Sequence, residues 1–159
     1  MIRSVEWRIL GVMAIMTASV AAVAAPAPNK AEILKERQAT MKQQAKDAGS
    51  IKGYLDGKTN QTAALVGAES LTQTTKKIPS LFPPGTNAPS PDGDYGPKPA
   101  IWTEWSKFLD RQKTAVAKAD ALLVAVKTGQ KPEIQRAFVD LGKNGCGACH
   151  TDFRQKLKD

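Results

Sequence analysis

The chain has 159 residues, enough for one domain with a real core and too few for two. Hydrophobic residues make up 42% and charged residues 24%, which excludes a disordered chain; aromatics are sparse at 6%, and frequent alanine, lysine and glutamine favour helix over sheet. The formal charge of +8 is carried by scattered lysines rather than basic clusters interleaved with aromatics, which argues against nucleic acid and leaves solubility, or steering toward acidic partners, as its use.

Residues 1–24 carry the pattern of a secretory signal peptide. Arg3 and Arg8 form a positive start, Ile9 to Val20 is uncharged, and Ala22-Val23-Ala24 offers the small residues a signal peptidase reads. The apolar stretch is short for a membrane span, and Pro26 and Pro28 follow at once. Cleavage is expected after Ala24, leaving a domain of residues 25–159 with export to the periplasm. Loss of Arg3, Arg8 and Glu6 would lower the charge by one to +7.

Four helical stretches follow. The first runs from about Lys30 to Lys46, where Ile33, Leu34, Arg37, Met41 and Ala45 recur at helical spacing, and Gly49 and Gly53 are expected to weaken helix beyond it. The second runs from about Asn60 to Lys77 on a stripe of Ala64, Leu65, Ala68 and Leu71, with Pro79 as its stop. Residues 78–100 hold so many prolines and glycines that they read as one long loop. The third helix runs from about Ile101 to Val126 and takes Trp102 and Trp105 as core residues; Gly129 suits its end. The fourth starts near Pro132 and continues through Ile134, Phe138, Leu141, Cys149, Phe153 and Leu157. Amphipathic helices with one long connection predict an all-α, antiparallel four-helix bundle.

The fourth helix carries Cys146-Gly147-Ala148-Cys149-His150. Cys-x-x-Cys-His is the attachment sequence of c-type haem: each sulfur adds to a porphyrin vinyl group and the histidine takes the iron. At about 100° per residue, both cysteines and the histidine point to one side of a helix. A thioredoxin-type dithiol would open a helix after a strand, a disulfide here would close a very small loop, and zinc normally takes four ligands. The whole chain holds two cysteines and one histidine, all inside this pentad, so one covalent haem c is the reading. Of the four methionines, Met1, Met13 and Met16 lie in the leader, so a methionine ligand to iron would be Met41; the alternative is a core methionine packed on the haem face. Arg37 suits a haem propionate, and Arg154 suits helix-end carbonyls or the His150 side. No catalytic dyad or triad is visible, so the chain does not read as an enzyme.

At these residues the chain resembles the class II cytochromes c, which include cytochrome c prime and its low-spin relatives. The ending Cys-Gly-Ala-Cys-His-Thr-Asp-Phe-Arg (146–154) is close to the family's, and the Phe82–Thr86 and Lys98–Trp102 segments look like its connection between the second and third helices. Arg37-Gln38 followed by Met41 looks like its first-helix motif, in which Arg and Gln approach the propionates and the Met41 position faces the iron distally. The resemblance implies a four-helix bundle around one haem. It also implies one of two functions: electron transfer with methionine on iron, or nitric oxide or carbon monoxide binding at an open distal site. The first is the expectation here: a periplasmic electron carrier with His150 and Met41 on iron, redox proteins as partners and a homodimer left open. A haem-based sensor or stress protein without an electron partner is a third reading. The loop around Ser90 to Gly96 is longer than the family's.

Overall fold

A computed structural model describes residues 29–89 and 93–157. The expected leader lies outside those residues, as do Ser90, Pro91 and Asp92 of the long loop. Helix α1 spans Lys30–Leu55 and α2 spans Gln61–Lys77, followed by a 3-10 turn at Ile78–Leu81. Strand β1 (Tyr95–Pro97) leads to a one-turn helix α3 (Ala100–Thr103) and then to α4 (Trp105–Thr128). The last rod is composite: α5 (Lys131–Asp140), a π-helical stretch at Leu141–Gly147 and α6 (Ala148–Phe153), ending in strand β2 (Arg154–Lys156). Helices α1, α2, α4 and this rod pack as the four-helix bundle that the sequence predicts. Among the described residues, no helix is long and apolar enough to cross a membrane.

Local chemistry fixes the ends. Asn29 and Glu32 form a reciprocal capping box at 3.0 Å in each direction, and the Asn60 side chain accepts from the Ala63 amide at 2.9 Å. Gly129 takes φ 71° to end α4, and Pro132 sits in the first turn of α5.

The helices depart from the sequence expectation in four places. Helix α1 runs to Leu55, straight through Gly49 and Gly53, because fully buried Ile51 and the Asp47 contacts anchor the extra turns; packing outweighs the glycine penalty of about 1 kcal/mol each. Glu104 leaves helical geometry at φ −121°, ψ 44° and separates α3 from α4. The fourth helix stops at Phe153 instead of Leu157, because residues 154–156 pair antiparallel with Tyr95–Pro97. Trp105, taken as core, is 37% exposed, and Ala45 on α1 is also exposed.

The apolar interior comes in two clusters. One gathers Ile51, Ala68, Leu71, Leu122, Val126, Ile134 and Leu141. The other gathers Leu81, Phe82, Ile101, Phe108 and Phe153, with ring centroids 5.3 Å apart for Phe82–Phe108 and Phe108–Phe153. Several buried side chains outside the two clusters are polar: Thr40 on α1, Thr72 and Thr75 on α2 and Gln112 on α4, the last one turn before buried Ala115. The Gln112 amide donates to the Thr75 carbonyl at 3.0 Å, and Gln44 donates to the Thr75 hydroxyl at 3.2 Å.

Candidate haem site

The pentad straddles the two clusters. Cys146 ends up packed against the first and Cys149 against the second. The π-helical stretch makes this possible. Its wider turns carry Cys146, while Cys149 and His150 belong to α6, so an unbroken α-helical count does not give their relative angle. Two glycines, Gly145 and Gly147, have no room for a side chain on this stretch. A Cβ on Gly145 would stand 2.9 Å from Leu141 and 3.4 Å from the Ala115 backbone, and one on Gly147 would stand 3.0 Å from the Gly142 carbonyl oxygen. The first of these lets the rod lie close against α4.

Both cysteines are free thiols. Burial raises the pKa of Cys146, and burial followed by the charges of Cys146 and Asp152 pushes Cys149 up to about 11. Thioredoxin-type dithiols need a depressed thiol pKa, so that alternative loses its chemistry here. Among the described residues, no group of three His, Cys, Asp or Glu could hold a metal ion, which also disfavours zinc. His150 is half-buried, and among the described residues its imidazole makes no hydrogen bond. Burial, then the Arg154 charge, lowers its pKa, which favours the neutral imidazole that a metal requires.

These residues fit a haem. Thiols pack against both halves of a divided core, an imidazole with no side-chain hydrogen bond among the described residues lies one residue beyond Cys149, and the buried Thr72 Oγ1 has no hydrogen-bond partner. A flat apolar ring with two carboxylate tails would join the clusters while meeting polar groups at its edge.

The other expected residues sit as follows. Met41 lies on α1 at about 40° from Arg37, between the directions of buried Leu34 and Arg37, by the 100° helical step. It is nevertheless half-buried and packs into neither core cluster. Gln38 is half-buried with no hydrogen bond among the described residues. Arg37 is buried, and its guanidinium binds the 81–88 loop: Nε and Nη2 donate to the Leu81 carbonyl at 3.0 and 2.8 Å, Nη2 to the Thr86 carbonyl and hydroxyl at 3.1 and 2.9 Å, and Nη1 to the Ala88 carbonyl at 3.3 Å. It also lies 4.1 Å over the Phe82 ring. Burial alone lowers its pKa to about 10.

Two supports of the pentad carry no sequence signal. Arg111 Nε on α4 donates to the Asp152 carboxylate of α6 at 2.8 Å. Lys98 donates from its amide to the Phe153 carbonyl at 2.9 Å and from Nζ to the Thr151 carbonyl at 2.8 Å, placing a cation at the C-terminus of α6.

Comparison with known proteins agrees with this arrangement. Residues 32–154 match the family described as Cytochrome C'. Cytochrome c' of Rubrivivax gelatinosus is 31% identical over 130 residues, covering 79% of this chain and 95% of the relative. The crystal structure of cytochrome c' from Thermochromatium tepidum superposes with a TM-score of 0.73 at 25% identity, over 81% of this chain and 98% of that one. The nitric oxide complex of a mutant cytochrome c prime from Alcaligenes xylosoxidans does so at 0.69 and 25%, over 80% and 97%. Likeness across nearly the whole length of these proteins, on a bundle whose two half-cores meet at a Cys-x-x-Cys-His turn, places this chain in the cytochrome c' family of class II cytochromes c, haem proteins with one covalently held haem c.

Proposed function

We propose that this chain is an exported haem protein that binds a small gas, nitric oxide or carbon monoxide, at the distal face bordered by Met41, with its single haem fixed by Cys146 and Cys149 and its iron held by His150. The observation that carries the attachment is the placement of the two free, half-buried thiols against opposite halves of the core, with an imidazole free of side-chain hydrogen bonds beside them. The gas-binding reading is supported by likeness to cytochromes c', including the nitric oxide complex.

The bound haem supplies an iron that accepts a gas or an electron. The chain's residues do the rest. Cys146 and Cys149 would hold the haem through two thioethers, so that loss of an iron ligand would not release it. Burial, then the Arg154 charge, favours the neutral imidazole of His150, the form that would hold iron. Met41 would border the distal side, and its thioether would contribute no proton there. Arg37 and Gln38 are assigned to the propionate edge, Arg37 with the hydrogen left over from its loop contacts.

Electron transfer with Met41 on iron remains the second reading, favoured by one observation: Met41 lies between the directions of buried Leu34 and Arg37 yet is packed into neither half of the core. A thioether ligand would raise the potential and close the site to gas. Absorption spectra decide. The gas-binding reading expects a high-spin oxidised spectrum and ready carbon monoxide uptake when reduced, little altered by Met41→Ala. A sulfur-to-iron charge-transfer band, lost in Met41→Ala together with a gain in carbon monoxide affinity, would replace it with the electron carrier.

A further inference from the structure

Polar contacts tie α1 to α2 and α2 to α4 at one level of the bundle. Gln44 Nε2 on α1 donates to the Thr75 hydroxyl on α2 at 3.2 Å, and Gln112 Nε2 on α4 donates to the Thr75 carbonyl at 3.0 Å. The Thr75 hydroxyl donates in turn to the Leu71 carbonyl at 2.6 Å, which fixes its rotamer. On α4, Gln112 stands between Arg111, bonded to Asp152, and Ala115, which faces Gly145. His150 lies between those two residues of the rod, so the brace stands at its level. Gln44 follows Met41 on α1 by less than one turn. The other ties of α1 around Met41 also run to α2 and the loop after it: Glu36 pairs with Lys77 at 3.1 Å, Arg37 binds the 81–88 loop, and Asp47 accepts from the Ser70 hydroxyl at 2.5 Å. Among the described residues, α1 hydrogen-bonds to the rod only at its far end, where Lys131 Nζ donates to the Leu55 carbonyl at 3.3 Å. Met41 stands about 60° round the helix from Gln44 and about 120° from Asp47, on the side of α1 turned from those ties.

We propose that Gln44 is a positioning residue: its bond to Thr75 draws α1 toward α2 and holds the Met41 thioether back from the iron, which keeps the distal side open to gas. The proposal rests on the gas-binding reading and on His150 as the iron ligand. Packed helices shift as units by about 1–2 Å, so a tie within a turn of Met41 sets how far its side chain stands from the rod. With the tie removed, α1 is free to rock toward the rod, and a thioether bond to iron rewards that movement. Gln112 holds Thr75 from the α4 side, so the anchor for Gln44 does not follow α1.

The test reads the absorption spectrum of oxidised holoprotein and the carbon monoxide association rate of reduced holoprotein. The variants are Gln44→Leu, the nearly isosteric Thr75→Val, the conservative Thr75→Ser, and the double variant Gln44→Leu/Met41→Ala. Gln61→Ala is the control, because Gln61 Nε2 ties α2 to α4 at the other end through the Val126 carbonyl at 2.9 Å and its loss loosens the bundle without touching the brace. Thermal unfolding reports the stability of each. The expected result has wild type, Thr75→Ser and Gln61→Ala high-spin. Gln44→Leu and Thr75→Val should gain a sulfur-to-iron charge-transfer band and take up carbon monoxide several-fold more slowly. Gln44→Leu/Met41→Ala should lose the band and recover the wild-type rate. Folded Gln44→Leu and Thr75→Val that stay high-spin, the same band in Gln61→Ala, or a low-spin spectrum that survives Met41→Ala would each overturn the brace while leaving the gas-binding reading standing. A wild-type chain that already shows the band would overturn that reading, and the proposal with it.

Discussion

Replacing Arg37 tests whether this residue chiefly anchors the 81–88 loop or chiefly faces a propionate. Its guanidinium makes five hydrogen bonds to four acceptors on that loop. At about 1.5 kcal/mol for each bond from a charged donor, the gross contribution is about 7 kcal/mol. Burial opposes it: lowering the pKa from 12.5 to about 10 corresponds to about 3 kcal/mol for keeping the charge inside. The net loss in Arg37→Met is therefore about 4 kcal/mol, because the loop carbonyls lose their donors while the side-chain bulk is kept. For a domain of this size that is a fall in Tm of roughly 12–20 °C. Arg37→Lys keeps the charge but cannot span Leu81, Thr86 and Ala88 at once, so it should lose at least half as much. Urea unfolding of holoprotein, with amide exchange across residues 81–88, measures both. A loss under about 1 kcal/mol in Arg37→Lys, with the loop still protected, would refute the anchoring argument, since a charge beside a propionate is all that lysine preserves.

Two glycines of the α1–α2 region should respond in opposite directions. A Cβ on Gly67 would meet the Asp47 carbonyl oxygen at 2.8 Å, so Gly67→Ala should cost about 1–3 kcal/mol, whereas Gly49 has nothing within 4 Å and Gly49→Ala should gain about 0.5–1 kcal/mol in thermal unfolding. The hydrogen bond from Arg111 holds the Asp152 carboxyl below its ordinary 3.8, so the pair stabilises the fold above that pH and the contribution is lost as pH falls through the lowered value. Asp152→Asn should remove that part of the acid dependence of stability, measured by urea midpoints from pH 6 to 2. Cys146→Ala/Cys149→Ala should run without haem stain on a denaturing gel, and far-UV circular dichroism should show it loosely folded; a stained band would refute the attachment site.

The pentad was legible because its chemistry is local: five consecutive residues hold every cysteine and the one histidine of the chain. The bundle was legible because Asn60, Gly129 and Pro132 act within a turn of where they stand. What stayed hidden depends on distant partners. Nothing near Gly49 announces that Ile51 will be fully buried and carry α1 onward. The widened turns at Leu141–Gly147 lie where Gly145 approaches Ala115 of α4, and a 3.6-residue count from Ile134 cannot register them. Arg37 was singled out from its place in a motif, but its five bonds to a loop more than forty residues away were not, because backbone carbonyls have no sequence signature. The long loop read as irregular, yet its end at Tyr95–Pro97 finds a strand partner in the C-terminal segment.

The divided core bears on the lifetime of the chain before it is complete. Two separate apolar clusters, with buried threonines and a glutamine beside them, would let one end open while the other holds. Joining them with a rigid apolar plate turns two partial unfolding events into a single global one. A newly made polypeptide without that plate would breathe at its waist and offer cleavable backbone there, so cofactor acquisition doubles as a quality check on which molecules persist. The same coupling implies that damage to the pentad registers first as a lowered copy number and only afterwards as altered ligand chemistry.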